Sequence, residues 1–242
     1  MTFETTPDGR EGWDTLFLRA GYNVYVSDAV ERGRASWAKF PEINPTPPIF
    51  HTYEARWLNL RMGENYPVPY EGQRFPTECY DQFMMQGVPR WLSSDSWAVE
   101  AYCAYLERMK QYTDGVIILA HSQGCSYAME VALRYPDFVK GMILVEQVAI
   151  PDPNVDISAF ASIPQLYVYG DYMDLDVVHP WVTSMNAKFS DWKCRLDNAN
   201  VEYAWWDLPK MGIKGNSHML TMDNNNDQIA DMICKWIRTN VK

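Results

Sequence analysis

Ser122 stands in the stretch GVIILAHSQGCSYAMEVALRY, residues 115–135. A serine hydroxyl can attack a carbonyl carbon once a base removes its proton. The apolar run 116–120 stops just before it, and a helical pattern starts just after. A serine at such a strand-to-helix corner projects its hydroxyl out of a tight turn, which calls for small residues two before and two after it. Here those are Ala120 and Gly124. The start of the following helix points backbone N–H groups at the same place, so the Gln123 amide can hold a developing oxyanion. The pattern is that of a nucleophile elbow.

A base is then required, and the chain has four histidines: His51, His121, His179 and His218. His51 lies in an aromatic-rich region and His179 precedes Pro180; both read as packed or surface residues. His121 adjoins the serine, so its side chain leaves the strand end in another direction. His218 sits in the loop KGNSHML between the last strand pattern and the last helix pattern. In a parallel sheet such a loop opens at the carboxyl edge, the edge that carries Ser122. His218 is therefore the candidate base. An acid must orient the imidazole and stabilise its cation. Glu146 ends one strand pattern, and Asp171 and Asp174 follow another. Spacing does not choose among them, because a final histidine loop can reach either strand end.

These residues need a scaffold, and the patterning supplies one. Residues 11–20 read as a helix with Trp13, Leu16, Phe17 and Ala20 on one face and Gly21 as its stop. Residues 22–27 read as a strand, and 41–48 as a stiff proline-rich linker. From 49 to 112 the pattern is helical, irregular and rich in Tyr and Trp, with no convincing strand. A helical insertion of this kind, about 41–112, is what a cap over a cleft looks like. After the elbow, residues 141–145, 165–169 and 201–206 read as strands, and 181–198 and 226–239 as helices. Strands and helices alternating in this way predict an α/β fold: one domain over 1–242, with a mostly parallel sheet and helices on both faces.

Bulk properties narrow the chemistry. Hydrophobic residues make up 47% and charged residues 21% of the 242 residues, as in a globular chain with a sizeable core. The net charge of −10 opposes binding to nucleic acid or to an anionic membrane. No apolar stretch reaches the ~18 residues of a membrane span. The first residues carry neither a basic nor an apolar leader segment, so a cytoplasmic location is the default expectation. The five cysteines are scattered without CxxC spacing, which predicts buried free thiols rather than a zinc site or disulfide framework.

The chain resembles an atypical group of bacterial-type serine esterases, also found in fungi, within the α/β-hydrolase superfamily. The resemblance runs from TTPDGREGW through GYNVYVSDAVERGRAS, HSQG, LVEQ and YGDYMD to GIKGNSHMLTMDNNN and the last helix. GNSHM with the downstream DNNN run is its most distinctive part. In that group the acid is a glutamate ending the strand directly after the elbow helix, a position that falls on Glu146; Asp171 remains the alternative. The resemblance also implies a strand and a His-Gly-type loop ahead of the helix at 11–20, which would supply the second oxyanion donor. This sequence does not carry them. The expectation is a shortened hydrolase lacking its N-terminal strands, and a secreted location if a signal segment is missing with them.

The implied activity is cleavage of a carboxylic ester by a Ser-His-Glu triad through an acyl-enzyme, with no metal or cofactor. The aromatic insertion points to a small apolar or aryl ester. The same triad serves lactonases and thioesterases. A catalytically silent ligand-binding protein on this fold is the rival from another class.

Overall fold

The computed structural model describes residues 3–35, 41–44, 46–91, 93–175 and 180–242, with 180–187 described by backbone alone. These group into two compact units: Met1–Ala101 with Gly215–Cys234, and Tyr102–Lys214 with Lys235–Lys242.

The second unit holds the sheet. Strands β1 (Val116–His121), β2 (Val139–Val145), β3 (Gln165–Tyr169) and β4 (Tyr203–Asp207) lie in that order, every neighbouring pair parallel. Parallel strands need crossovers, and helices α5 (Gly124–Arg134) and α6 (Pro180–Asn198) provide two of them. The interior strands are continuous apolar runs, as a strand covered on both faces requires. Met142, Ile143, Leu144, Leu166, Tyr167 and Val168 are wholly buried. Each such side chain contributes about 1.5–3 kcal/mol by leaving water. Ala128, Val131 and Ala132 of α5 are buried as well, at the spacing that marked this helix in the sequence. One buried chain of hydrogen bonds runs from Trp192 Nε1, which donates to Tyr167 Oη at 3.0 Å, to Gln165 Oε1, which accepts from Tyr167 Oη at 2.5 Å. Gly141 is required by packing, since a Cβ there would lie 2.8 Å from Val241 Cγ2.

The first unit contains α1 (Trp13–Arg19), α2 (Tyr53–Asn59), α3 (Tyr80–Met84), the start of α4 (Asp95–Met109) and the first turns of α7 (Asn226–Asn240). Helix α1 ends as its sequence foretold. Gly21 has φ +94°, and the Gly21 and Tyr22 amides donate back to Leu18 O (3.0 Å) and Phe17 O (3.1 Å). This double closure is a Schellman cap. Helix α2 ends the same way with a non-glycine residue, Arg61 at φ +56°: Arg61 N donates to Leu58 O and Met62 N to Trp57 O. Trp57, Leu60, Met62, Phe75 and Tyr80 form a core with Met219 and Met222. Trp57 meets Tyr66 and Tyr80 edge-on, with centroids 5.4 and 5.0 Å apart. Between residues 49 and 112 the described residues contain no strand, in keeping with the helical pattern.

One expected element is corrected. Residues 22–27 form no strand. Their exposure alternates as a strand's would, with Tyr22, Val24 and Val26 half-buried and Asn23, Tyr25 and Ser27 exposed. The segment nevertheless belongs to no ladder among the described residues, where β1 is one edge of the four-stranded sheet. Alternation records which face is covered, but a strand also needs a partner for its N–H and C=O groups. Among the described residues, no helix is long and apolar enough to cross a membrane.

Candidate active site

The ladder between β1 and β2 builds the first part of the site. His121 pairs with Val145, so the next residues, Ser122 and Glu146, leave the sheet at the same level of its carboxyl edge. Both adopt φ +54°. A left-handed conformation costs a non-glycine residue about 1–2 kcal/mol, and it is held here by the flanking strands. Ser122 N donates to Val145 O at 2.9 Å and Glu146 N to Val168 O at 2.8 Å, extending the two ladders past the strand ends. The corner then turns into α5, with Gln123 as N-cap and Cys125 N donating to Ser122 O at 3.1 Å. The Gln123 amide lies at the N-cap, where the first turn of α5 begins.

The smallness of the corner is milder than expected at one position. A Cβ on Gly124 would lie 3.9 Å from Ala120 Cβ, an ordinary contact. Ala120 and Gly124 face each other, with room for a methyl group on Gly124.

Burial distinguishes the carboxylates. Glu146 is 1% exposed and accepts the Gly170 amide on Oε1 at 2.5 Å. Asp171 is half-buried and accepts the Tyr172 amide, and Asp174 is exposed. Behind Glu146, buried Gln147 donates to Ala149 O at 2.6 Å and to Met129 Sδ at 3.4 Å. Ser122 itself is half-exposed. Cys125, the second residue of α5, is no rival nucleophile. Burial pushes its thiol far above the usual range, and the Glu146 carboxylate adds to that shift.

His218 belongs to the other unit, in a loop of its own design. The loop is buried and polar: Asn216, Ser217 and Asp223 are fully buried and His218 is 4% exposed. The Schellman cap of α2 leaves the Leu60 carbonyl at the helix end, and the His218 amide donates to it at 3.0 Å. Gly215 opens the loop at φ +88°, where a Cβ would fall 2.0 Å from Gly72 O. The segment around Arg10 grips the far end. Arg10 donates to Met222 O (2.9 Å), Asp223 O (3.2 Å) and Asn226 Oδ1 (2.8 Å). Trp13 Nε1 donates to Asn226 O at 2.9 Å, and Asn226 Nδ2 to Glu11 O at 3.0 Å. Two stretches that stood out in the sequence, TTPDGREGW and MDNNN, are thus bonded to each other.

The structure brings Ser122, Gln123 and Glu146 to one sheet edge. Among the other histidines, His121 ends β1 and His51 is half-buried, while His179 lies outside the described residues. Asp223, Asn216, Ser217 and Arg10 lie in stretches that stood out in the sequence, but their role as supports of the histidine loop was not read from it. The density of Asn, Asp and Ser around His218 was the available signal, since such side chains readily bond nearby backbone.

A family model described as the alpha/beta hydrolase fold matches residues 13–177. The chain is an α/β hydrolase. Its sheet order, all-parallel ladders and strand-to-helix corner at Ser122 accord with that membership. Among known proteins, the hydrolase is 26% identical over 284 aligned residues to the probable secreted lipase phiG of Fungal sp. (strain ATCC 74256), covering 97% of this chain and 77% of that one. It also superposes on a bacterial esterase, described as novel and solved at atomic resolution. The TM-score is 0.88 and the identity 32%, over 100% of this chain and 78% of that one.

Proposed function

We propose that this α/β hydrolase cleaves carboxylic esters with Ser122 as nucleophile, His218 as general base and Glu146 as the acid that orients it. The observation that carries the reading is the position of Ser122. It is half-exposed at φ +54° on the corner between β1 and α5, level with the buried Glu146. In the proposed cycle Ser122 Oγ attacks the ester carbonyl carbon while its proton passes to His218. The carbonyl π electrons move onto oxygen, and the Gln123 amide stabilises that oxyanion. Collapse breaks the bond to the alkoxy group, which leaves as the alcohol with the proton from His218. Water then attacks the acyl-serine, His218 takes its proton and returns it to Ser122, and the carboxylic acid departs. No metal or cofactor enters the scheme. The names lipase and esterase, borne by the similar proteins, support an ester as substrate. The aromatic-rich composition of residues 49–112 favours an apolar or aryl acyl or alkoxy group.

The test pairs turnover of p-nitrophenyl esters with labelling by a fluorophosphonate probe. Labelling that disappears in Ser122→Ala, with turnover lost in parallel, is expected. A well-folded chain that neither labels nor turns over any ester would replace this reading with a silent ligand-binding protein. A marked preference for lactones or thioesters over oxygen esters would reassign the substrate class and keep the triad.

A further inference from the structure

The amides that carry His218 and its two neighbours each have a separate acceptor. Ser217 N donates to Asp223 Oδ2 at 2.8 Å, His218 N to Leu60 O at 3.0 Å and Met219 N to Ser217 Oγ at 2.9 Å. Ser217 Oγ in turn donates to Asp223 Oδ1 at 2.7 Å. The backbone on both sides of the histidine is therefore tied, directly or through the serine hydroxyl, to one carboxylate five residues further on. Asn216 holds that carboxylate in place, donating from Nδ2 to Asp223 Oδ2 at 2.9 Å and to Asn225 Oδ1 at 2.7 Å. Asn225 Nδ2 returns a bond to Asn216 Oδ1 at 3.2 Å. The chain between is closed by Met222 N and Asp223 N, which donate to Met219 O at 2.7 and 3.2 Å.

We infer that Asp223 is a positioning residue for His218: its carboxylate fixes the direction in which the imidazole leaves the loop and touches no substrate itself. The inference rests on the reading of His218 as the base. Folding of the loop against its surroundings is served by other bonds, those of Arg10, Trp13 and Asn226 and the pair between Arg74 N and Gly215 O at 2.8 Å. The carboxylate bonds of Asp223 go to Asn216 and Ser217, the two residues just before the histidine. Its two oxygens do different tasks, Oδ2 taking the Ser217 amide and Oδ1 the Ser217 hydroxyl. An asparagine offers one acceptor oxygen and an NH₂ group, so it can keep one of these bonds but forces the serine hydroxyl to turn round. Asp223→Asn is thus a small perturbation aimed at the histidine, and Ser217→Ala removes the same link from its other end.

The experiment measures p-nitrophenyl butyrate kinetics of the whole chain, together with melting temperature and the rate of fluorophosphonate labelling. Asp223→Asn and Ser217→Ala are expected to lower kcat ~10-fold through misplacement of the base, with KM within about twofold, at temperatures where both variants are fully folded. Labelling should slow by the same factor. Wild-type kcat in both variants, while His218→Ala is inactive, overturns the inference. Wild-type kcat in His218→Ala instead removes the base assignment on which it rests. Amide hydrogen exchange at residues 217–219 reads the tie without turnover, and unchanged protection in Asp223→Asn overturns the inference by itself.

Discussion

Ser122 and Glu146 each follow directly on the same strand pair, His121 with Val145, and both turn through φ +54° as they leave the sheet. Nucleophile candidate and acid candidate thus occupy equivalent positions on adjacent strands. Both are held by an amide bond to the next strand over, Ser122 N to Val145 O and Glu146 N to Val168 O.

This equivalence separates the acid candidates experimentally. Glu146→Gln keeps an oxygen for the Gly170 amide but removes the charge that would favour an imidazolium, so kcat should fall about 10²–10⁴-fold. Asp171→Asn should leave kcat within about twofold, since Asp171 would then play no part in the proton transfers. The reverse ranking in steady-state assays would move the acid to Asp171.

Gly124, at the start of α5, and Gly215, in the histidine loop, answer differently to the same substitution. Gly124→Ala meets only an ordinary contact at Ala120 and gains helix propensity of a few tenths of a kcal/mol or more, so Tm should hold or rise. Gly215→Ala combines φ +88° with a clash at Gly72 O, and should cost at least about 2 kcal/mol. Thermal melts of the two variants check the contrast; equal Tm values would refute it.

Much of this scaffold was legible from patterning. The strand pattern at 165–169 coincides with β3, and the helix pattern at 226–239 differs from α7 by one residue. Fully buried strands and amphipathic helices write their burial into their own residues. Residues 22–27 show the limit of that rule, because pairing is a property of two segments and alternation describes one. The level shared by Ser122 and Glu146 was equally hidden, since register is fixed between strands. The role of Asp223 was hidden for another reason. Its bonds to Ser217 depend on how a short loop curls, which periodicity does not encode.

Arg10→Ala should loosen the histidine loop from outside. It removes donors from the buried carbonyls of Met222 and Asp223 and from Asn226 Oδ1. Bonds from a charged donor contribute about 1.5–3 kcal/mol each, less where the group is partly exposed, so a total loss of about 2–3 kcal/mol is expected. Urea unfolding would show it as a lowered midpoint with an unchanged m-value. An unshifted midpoint would mean that water replaces the guanidinium at no cost.

Thiol reactivity should follow burial. Cys194 is exposed, whereas Cys103, Cys125 and Cys234 are buried, and the Cys125 thiol is held protonated by its surroundings. A chromogenic disulfide reagent at pH 8 should modify Cys194 quickly in the native chain and Cys125 only after unfolding. Native-state modification of Cys125, located by peptide mapping, would contradict the packing under the elbow.

His51 adds a pH-dependent contribution to stability. Burial, with Arg56 and Arg90 nearby, lowers its pKa from 6.5 to about 4. Between these values the unfolded chain binds the proton and the folded chain does not, so stability is lost as pH falls from about 6.5 towards 4. Replacing His51 with Gln should flatten that part of the stability–pH curve. An unchanged slope in denaturation series across this window would show that His51 titrates normally.

Arg10 and Asp223 are 213 residues apart in the chain, and their bond joins one segment to another made much later. At about 5–20 residues per second, the ribosome delivers Asp223 roughly 10–40 s after Arg10. During that interval the guanidinium has none of its loop acceptors, and Trp13 lacks the Asn226 carbonyl. The segment 3–20 must stay soluble and unclaimed until then. The loop that carries His218 is clasped from outside only once residues 222–226 have followed, so a ribosome-bound partial chain would hold Ser122 and Glu146 long before it could hold a finished histidine.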